Sequence, residues 1–93
     1  MFYESLGNRA RGEIVAQLSK LGPMSTVQLE QHLGVTRGTV IEHLTKLEQV
    51  GLVLADTPRE QRHGRAVTWS VNDQARDELL DQLSRYIRGE SGS

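Results

Sequence analysis

A mainly α domain with a small β-hairpin is what this sequence predicts, in the order helix, helix, helix, strand, strand, helix. Three observations predict it. Apolar residues keep helical spacing in four stretches. Those stretches open on good capping residues: Asn8, Ser25, Thr36, and Asn72 or Asp73. Between the third and the fourth, Val67, Trp69 and Val71 alternate with Ala66, Thr68 and Ser70, the period of a strand.

Taken in order, Phe2 to Leu6 is an apolar lead-in too short to stand alone. The first helix carries Ile14, Val15, Leu18 and Leu21 and stops at Gly22-Pro23, because a residue before proline is disfavoured in the α conformation. Ser25 starts a short second helix with Val27, Leu29 and Leu33, which Gly34 ends. Thr36 caps the third helix, whose Val40, Leu44, Leu47 and Val50 recur every three or four residues until Gly51. The apolar run Leu52-Val53-Leu54-Ala55 then reads as a first strand. Residues 56–64, polar and holding Pro58 and Gly64, suit a long hairpin loop. The last helix carries Ala75, Leu79, Leu80, Leu83, Tyr86 and Ile87. Nothing reads as a linker or an internal repeat. Residues 1–88 are expected to form one domain and residues 89–93, small and polar, a frayed tail.

Composition removes most function classes. A chain of 93 residues buries only roughly 60–65% of the surface its unfolded form exposes, so its core is thin. Eleven Lys and Arg against twelve Asp and Glu leave a net charge of −1, which excludes a polycation and offers no global pull toward nucleic acid. With 37% hydrophobic and 25% charged residues the chain reads as folded. No apolar run approaches the roughly 18 residues of a membrane span, and no signal peptide is visible, so a cytoplasmic protein is expected. The absence of Cys excludes disulfides, thiolate metal sites and Cys nucleophiles. There is no Gly-rich phosphate loop, metal cluster or His–carboxylate–Ser set, and an enzyme is not expected.

The informative segment is 25–53. Two short helices meet at the tight turn Gly34-Val35-Thr36: Gly34 lets the chain reverse, Val35 plugs the angle, and Thr36 caps the next helix. This is the construction of a helix-turn-helix, in which one helix braces another presented to the major groove of DNA. An αα-hairpin in a plain bundle is the competing account, but a bundle has no use for the basic-tipped hairpin that follows.

If Val40, Leu44 and Leu47 point inward, then Arg37, Gly38, Ile41, Glu42, Thr45 and Lys46 lie outward. Arg37 stands in the first turn, where it can bond a guanine in bidentate fashion, and Thr36 and Thr39 can meet phosphate or a thymine methyl. Gly38 permits close backbone approach. Ile41 is either a thymine-methyl contact or, in a slightly rotated helix, core. Glu42 either accepts from cytosine or, as the plainer account, pairs with Lys46. His43 is expected to pack at the helix boundary against backbone or hairpin. Trp69 is expected in the core behind the hairpin. Across 57–65, Arg59, Arg62 and Arg65 with His63 outweigh Glu60, which suits contact with the DNA backbone or minor groove.

The segment 36–53, with Val40, His43-Leu44, Leu47 and Gly51-Leu52-Val53, resembles the recognition helix and first wing strand of winged helix-turn-helix regulators. The ArsR-like family is the nearest, with MarR-type and other small winged-helix repressors behind it. Leu6-Gly7-Asn8-Arg9-Ala10-Arg11, leading into Ile14, is similar to that family's entry into its first helix, and the resemblance spans roughly residues 6–88. It implies a homodimer joined through the first and last helices, which would cover the surplus apolar residues Phe2, Tyr3, Leu6, Leu79, Leu80, Leu83, Tyr86 and Ile87. It implies double-stranded DNA as partner, with helix 36–50 in the major groove and a repressor as the simplest role. Many members hold metals through a Cys pair or Asp and His on the last helix. This chain has no Cys and no His beyond His63, and Asp73, Asp77 and Asp81 alone make a poor transition-metal site, so no metal or cofactor is expected. The alternative class is a winged-helix adaptor for protein partners, or a plasmid or phage partition or replication accessory. The near-neutral third helix favours that class, since Arg37 and Lys46 are balanced by Glu42 and Glu48.

Overall fold

The computed structural model describes residues 9–89. Helix α1 (Arg9–Leu21) leads into strand β1 (Met24–Ser25), followed by α2 (Thr26–Leu33), α3 (Arg37–Gln49), β2 (Val53–Ala55), β3 (Thr68–Val71) and α4 (Asp73–Ile87). A single 3-10 turn, Arg59–Gln61, lies in the loop between β2 and β3. The expected order is therefore present, with one addition. Met24 and Ser25 pair antiparallel with Trp69 and Thr68, making a third strand and the order β1-β3-β2.

Local chemistry sets the helix ends. Ser25 caps α2 with a full capping box: its hydroxyl accepts from the Gln28 N–H, and the Gln28 side chain accepts from the Ser25 N–H. Asn72 caps α4 by accepting from the Ala75 N–H. Gly34 ends α2 with φ of 67°, a left-handed conformation that a side chain resists, and its N–H closes on the Glu30 carbonyl. Asn8, the expected cap of α1, lies outside the described residues, as do Phe2, Tyr3 and Leu6.

The core gathers Ile14, Val15 and Leu18 of α1, Leu29 of α2, and Val40, Leu44 and Leu47 of α3. Leu52, Val53, Val67, Trp69 and Met24 close it from the sheet side. Two residues placed on inward stripes by spacing, Leu21 and Val27, are instead half exposed at the helix margins. Helix α4 is attached lightly. Leu79 is its one fully buried residue, Ala75 and Leu83 pack at the core's edge, and Arg76 Nη1 donates to Ser19 Oγ at 3.0 Å.

Candidate nucleic-acid interface

The turn and cap between α2 and α3 aim one face of α3 outward. Thr36 is the cap of α3. Its Oγ1 accepts from the Thr39 N–H at 3.4 Å and lies 2.9 Å from the Thr39 hydroxyl. Val35 packs against the core beneath. Val40, His43, Leu44 and Leu47 then face inward, and Arg37, Gly38, Ile41, Glu42 and Lys46 face solvent, with Thr39 and Thr45 half buried. Ile41 is 43% exposed, which removes the core account of that residue. Glu42 pairs with Lys46 across one turn at 3.9 Å, the plainer of its two expected roles.

His43 departs from expectation. It is only 7% exposed, and its Nδ1 accepts from Arg11 Nε at 3.2 Å. Its partner is α1 rather than backbone or wing, because the turn of α3 it occupies rests on α1. Nothing in local spacing signals a contact across 32 residues.

In the wing, Arg59, His63 and Arg65 are exposed. Arg62, also expected as a contact, is half buried and engaged within the molecule. Its Nη1 and Nη2 donate to the two carboxylate oxygens of Glu48 at 3.0 and 2.6 Å, and its Nε donates to the Thr57 carbonyl at 2.9 Å. The guanidinium sits over the Trp69 ring, 5.1 Å from its centroid. Trp69 itself is core, as expected, and its indole N–H donates to Thr26 Oγ1 at 3.1 Å. Asp56 braces the loop's start: its Oδ1 accepts from the Thr68 N–H and the Thr57 hydroxyl.

The arginine contacts hold the Glu48 carboxyl below its ordinary value of 4.5, the hydrogen bonds from Arg62 being the main cause. A depressed acid stabilises the fold above its unfolded pKa and loses that contribution as pH falls through the folded one. Stability should therefore drop on acidification below 4.5 more steeply in the wild type than in Glu48→Gln. Thermal unfolding across that range checks it, and parallel pH profiles would contradict it. Asp56 is lowered too, chiefly by the Thr68 N–H, but it is common to both proteins and cancels in the comparison.

The fold brings two expected contact residues together. Arg37, at the start of α3, and Arg65, at the wing's return, line one cleft of about 290 Å³ along with Ser25, Thr26 and Val27. Two basic side chains thus border the junction of helix and wing. The expected dimer residues divide. Leu79 fills the monomer's own core and Leu83 is half buried, whereas Leu80, Tyr86 and Ile87 are exposed. Between α1 and α4 runs an apolar groove of about 240 Å³, lined by Gly12, Val15, Ala16 and Leu80 among others. Asp73 and Asp77 both meet Arg76 at 3.0 Å, and Asp81 meets Arg85 at 2.9 Å. Among the described residues no three His, Asp or Glu are grouped to hold a metal ion, and no helix is long and apolar enough to cross a membrane.

A family model described as bacterial regulatory protein, arsR family, matches residues 8–54. Among solved structures, an ArsR-like transcriptional regulator from Rhodococcus sp. RHA1 is 23% identical with a TM-score of 0.72, over 95% of this chain and 77% of that one. A transcriptional regulator homologue from Pyrococcus horikoshii OT3 is 25% identical with a TM-score of 0.69, over 95% and 89% of the two chains. HlyU from Vibrio cholerae N16961 is 22% identical with a TM-score of 0.65, over 88% and 86%. No curated protein sequence matches the chain.

Proposed function

The chain belongs to the arsR family of bacterial regulatory proteins, and on that premise we propose that it is a homodimeric repressor of a near-palindromic DNA site. Family and fold make it a DNA-binding regulator of transcription rather than an enzyme. The finer assignment rests on one observation above others: the outward ridge of α3, from Arg37 through Gly38 and Ile41 to Lys46, is solvent-facing and adjoins the wing at Arg65. In this reading Arg37 reads base edges, Thr36, Thr39, Gly38, Ile41 and Glu42 line the contact, and Lys46 lies along it. Arg59, His63 and Arg65 meet the backbone or minor groove.

Dimerisation is supported by α4. A helix of 15 residues that buries one side chain fully and leaves Leu80, Tyr86 and Ile87 exposed has an apolar face suited to a second copy. The apolar groove beside it on α1 continues that face. A two-fold pair would set its α3 helices about 34 Å apart on successive major grooves. Neither metal nor cofactor enters this reading.

Selection of bound duplexes from random DNA tests it. The expected product is an inverted repeat whose half-sites lie about one helical turn apart. Binding should weaken steeply with salt as phosphates release counterions. Failure to enrich any motif would favour the adaptor or accessory alternative, for which the Glu42–Lys46 pairing on the exposed ridge is the favouring observation. Sedimentation equilibrium giving only the single-chain mass at micromolar concentration would remove the dimer.

A further inference from the structure

We propose that Glu48 and Arg62 form a latch that fixes the wing's pitch against α3, which makes Arg62 a positioning residue and not a phosphate ligand. The proposal rests on the DNA-binding reading above. Hydrogen bonds inside the wing loop are local: the Gln61 N–H to the Pro58 carbonyl at 2.9 Å, Arg62 to Arg59 at 3.4 Å, and Arg65 to Arg62 at 3.0 Å. Such bonds shape the loop, and β1 with the Thr26 N–H on the Val67 carbonyl ties the wing's return to α2, but none of these bonds reaches α3.

Arg62 makes the connection from the loop to α3. One planar group joins the carboxylate of Glu48 near the end of α3, the Thr57 carbonyl just past β2, and the face of Trp69 on β3. A fork on two carboxylate oxygens resists rotation as well as translation, which a point charge does not. The two side chains are only 19% and 26% exposed, so water and salt reach the pair poorly. Arg59 sits at the start of the turn that leads into Arg62, and Arg65 accepts its place from the turn that follows, through its N–H on the Arg62 carbonyl. Where the latch holds the loop, those two exposed charges are aimed.

The helix benefits as well. Glu48 would otherwise present a bare negative charge near the DNA-reading ridge, and Arg62 neutralises it from behind. A single contact therefore both orients the wing and quiets a repulsive group.

The test uses the full chain and its Glu48→Gln, Arg62→Lys and Arg62→Ala variants on the duplex selected above. Readouts are affinity over a salt series and hydroxyl-radical protection. Glu48→Gln removes a negative charge from the reading helix, so charge alone would tighten binding. The latch instead predicts binding about five-fold weaker, with protection lost beneath the wing and kept beneath α3. Arg62→Lys keeps its charge yet should weaken binding to about the same extent, because the fork is gone. Arg62→Ala should lose the protection beneath the wing in the same way, because it breaks the latch from the other side. Arg65→Ala, which removes one phosphate contact, should lower the slope of log K against log salt by about 0.9.

Unchanged or tighter binding by Glu48→Gln overturns the latch, as does protection beneath the wing kept at the wild-type level in that variant. Either result leaves the DNA-binding assignment standing. A wild-type chain that prefers no duplex overturns the assignment and the latch with it. Thermal unfolding shows which variants are folded at the assay temperature. Glu48→Gln, an isosteric change at a half-buried position, carries the test where Arg62→Ala does not fold.

Discussion

Replacing Trp69 with alanine is expected to lower the unfolding free energy by about 3–5 kcal/mol, the range for removing a large aromatic from a core. Small domains are stable by only about 5–15 kcal/mol in total, so this variant should lose a large share of its margin against unfolding. Three connections fail together. Trp69 is 3% exposed, and its ring fills the space between the sheet and the helices. Its indole N–H satisfies Thr26, so the alanine variant leaves a buried hydroxyl without that donor. Its outer face supports the Arg62 guanidinium. Trp69→Phe separates these effects, since it keeps most of the apolar volume and should cost about 1–2 kcal/mol through the lost hydrogen bond. Denaturant unfolding followed by far-ultraviolet circular dichroism is the suitable measurement, because the fluorophore is itself removed. A loss below about 1 kcal/mol in Trp69→Ala would contradict a central role for this residue.

The second large effect concerns recognition. Arg37→Ala should reduce discrimination between the selected duplex and a single-base variant by about 1–3 kcal/mol, roughly 5- to 150-fold in affinity ratio. Arg37 is the first residue of α3 and is exposed, at the end of the helix that reaches deepest into a groove. Arg37→Lys preserves charge but not the two-pronged geometry, so it should keep most of the affinity and lose most of the discrimination. The cleft shared with Arg65 provides the opposing outcome. If Arg37 and Arg65 act together on a phosphate, Arg37→Ala weakens every duplex equally and lowers the salt slope by about 0.9.

How far these features could be read in advance depended on how local their causes are. Ser25, Thr36 and Asn72 were recognisable as caps because a short oxygen-bearing side chain bonds its own backbone three residues on. The alternation around Trp69 marked β3 for the same reason. Strand β1 had no such mark. Two residues after a proline carry no period, and only the partner Trp69 and Thr68, more than forty positions away, make them a strand. The surroundings of Arg62 were not legible, because a count of basic residues in a loop says nothing of a carboxylate on α3, fourteen positions back. Leu79 and Leu80 show the same limit. Spacing puts both on the apolar side of α4, but the helix's rotation against α1 sends Leu79 into the core and leaves Leu80 outside.

The middle position of β3 ties two parts of the molecule mechanically. Ser25 bonds to the wing strand as a member of β1 and in the same breath begins α2 as its cap. The wing is therefore no free arm: its strand is hydrogen-bonded to the residue that begins the bracing helix, and the Gly34 corner links that helix to α3. On the DNA-binding reading proposed above, a groove too wide or too narrow for the wing would tilt α3 away from its best seat. Base pairs that the protein never touches would then enter its choice of site through their stiffness and width.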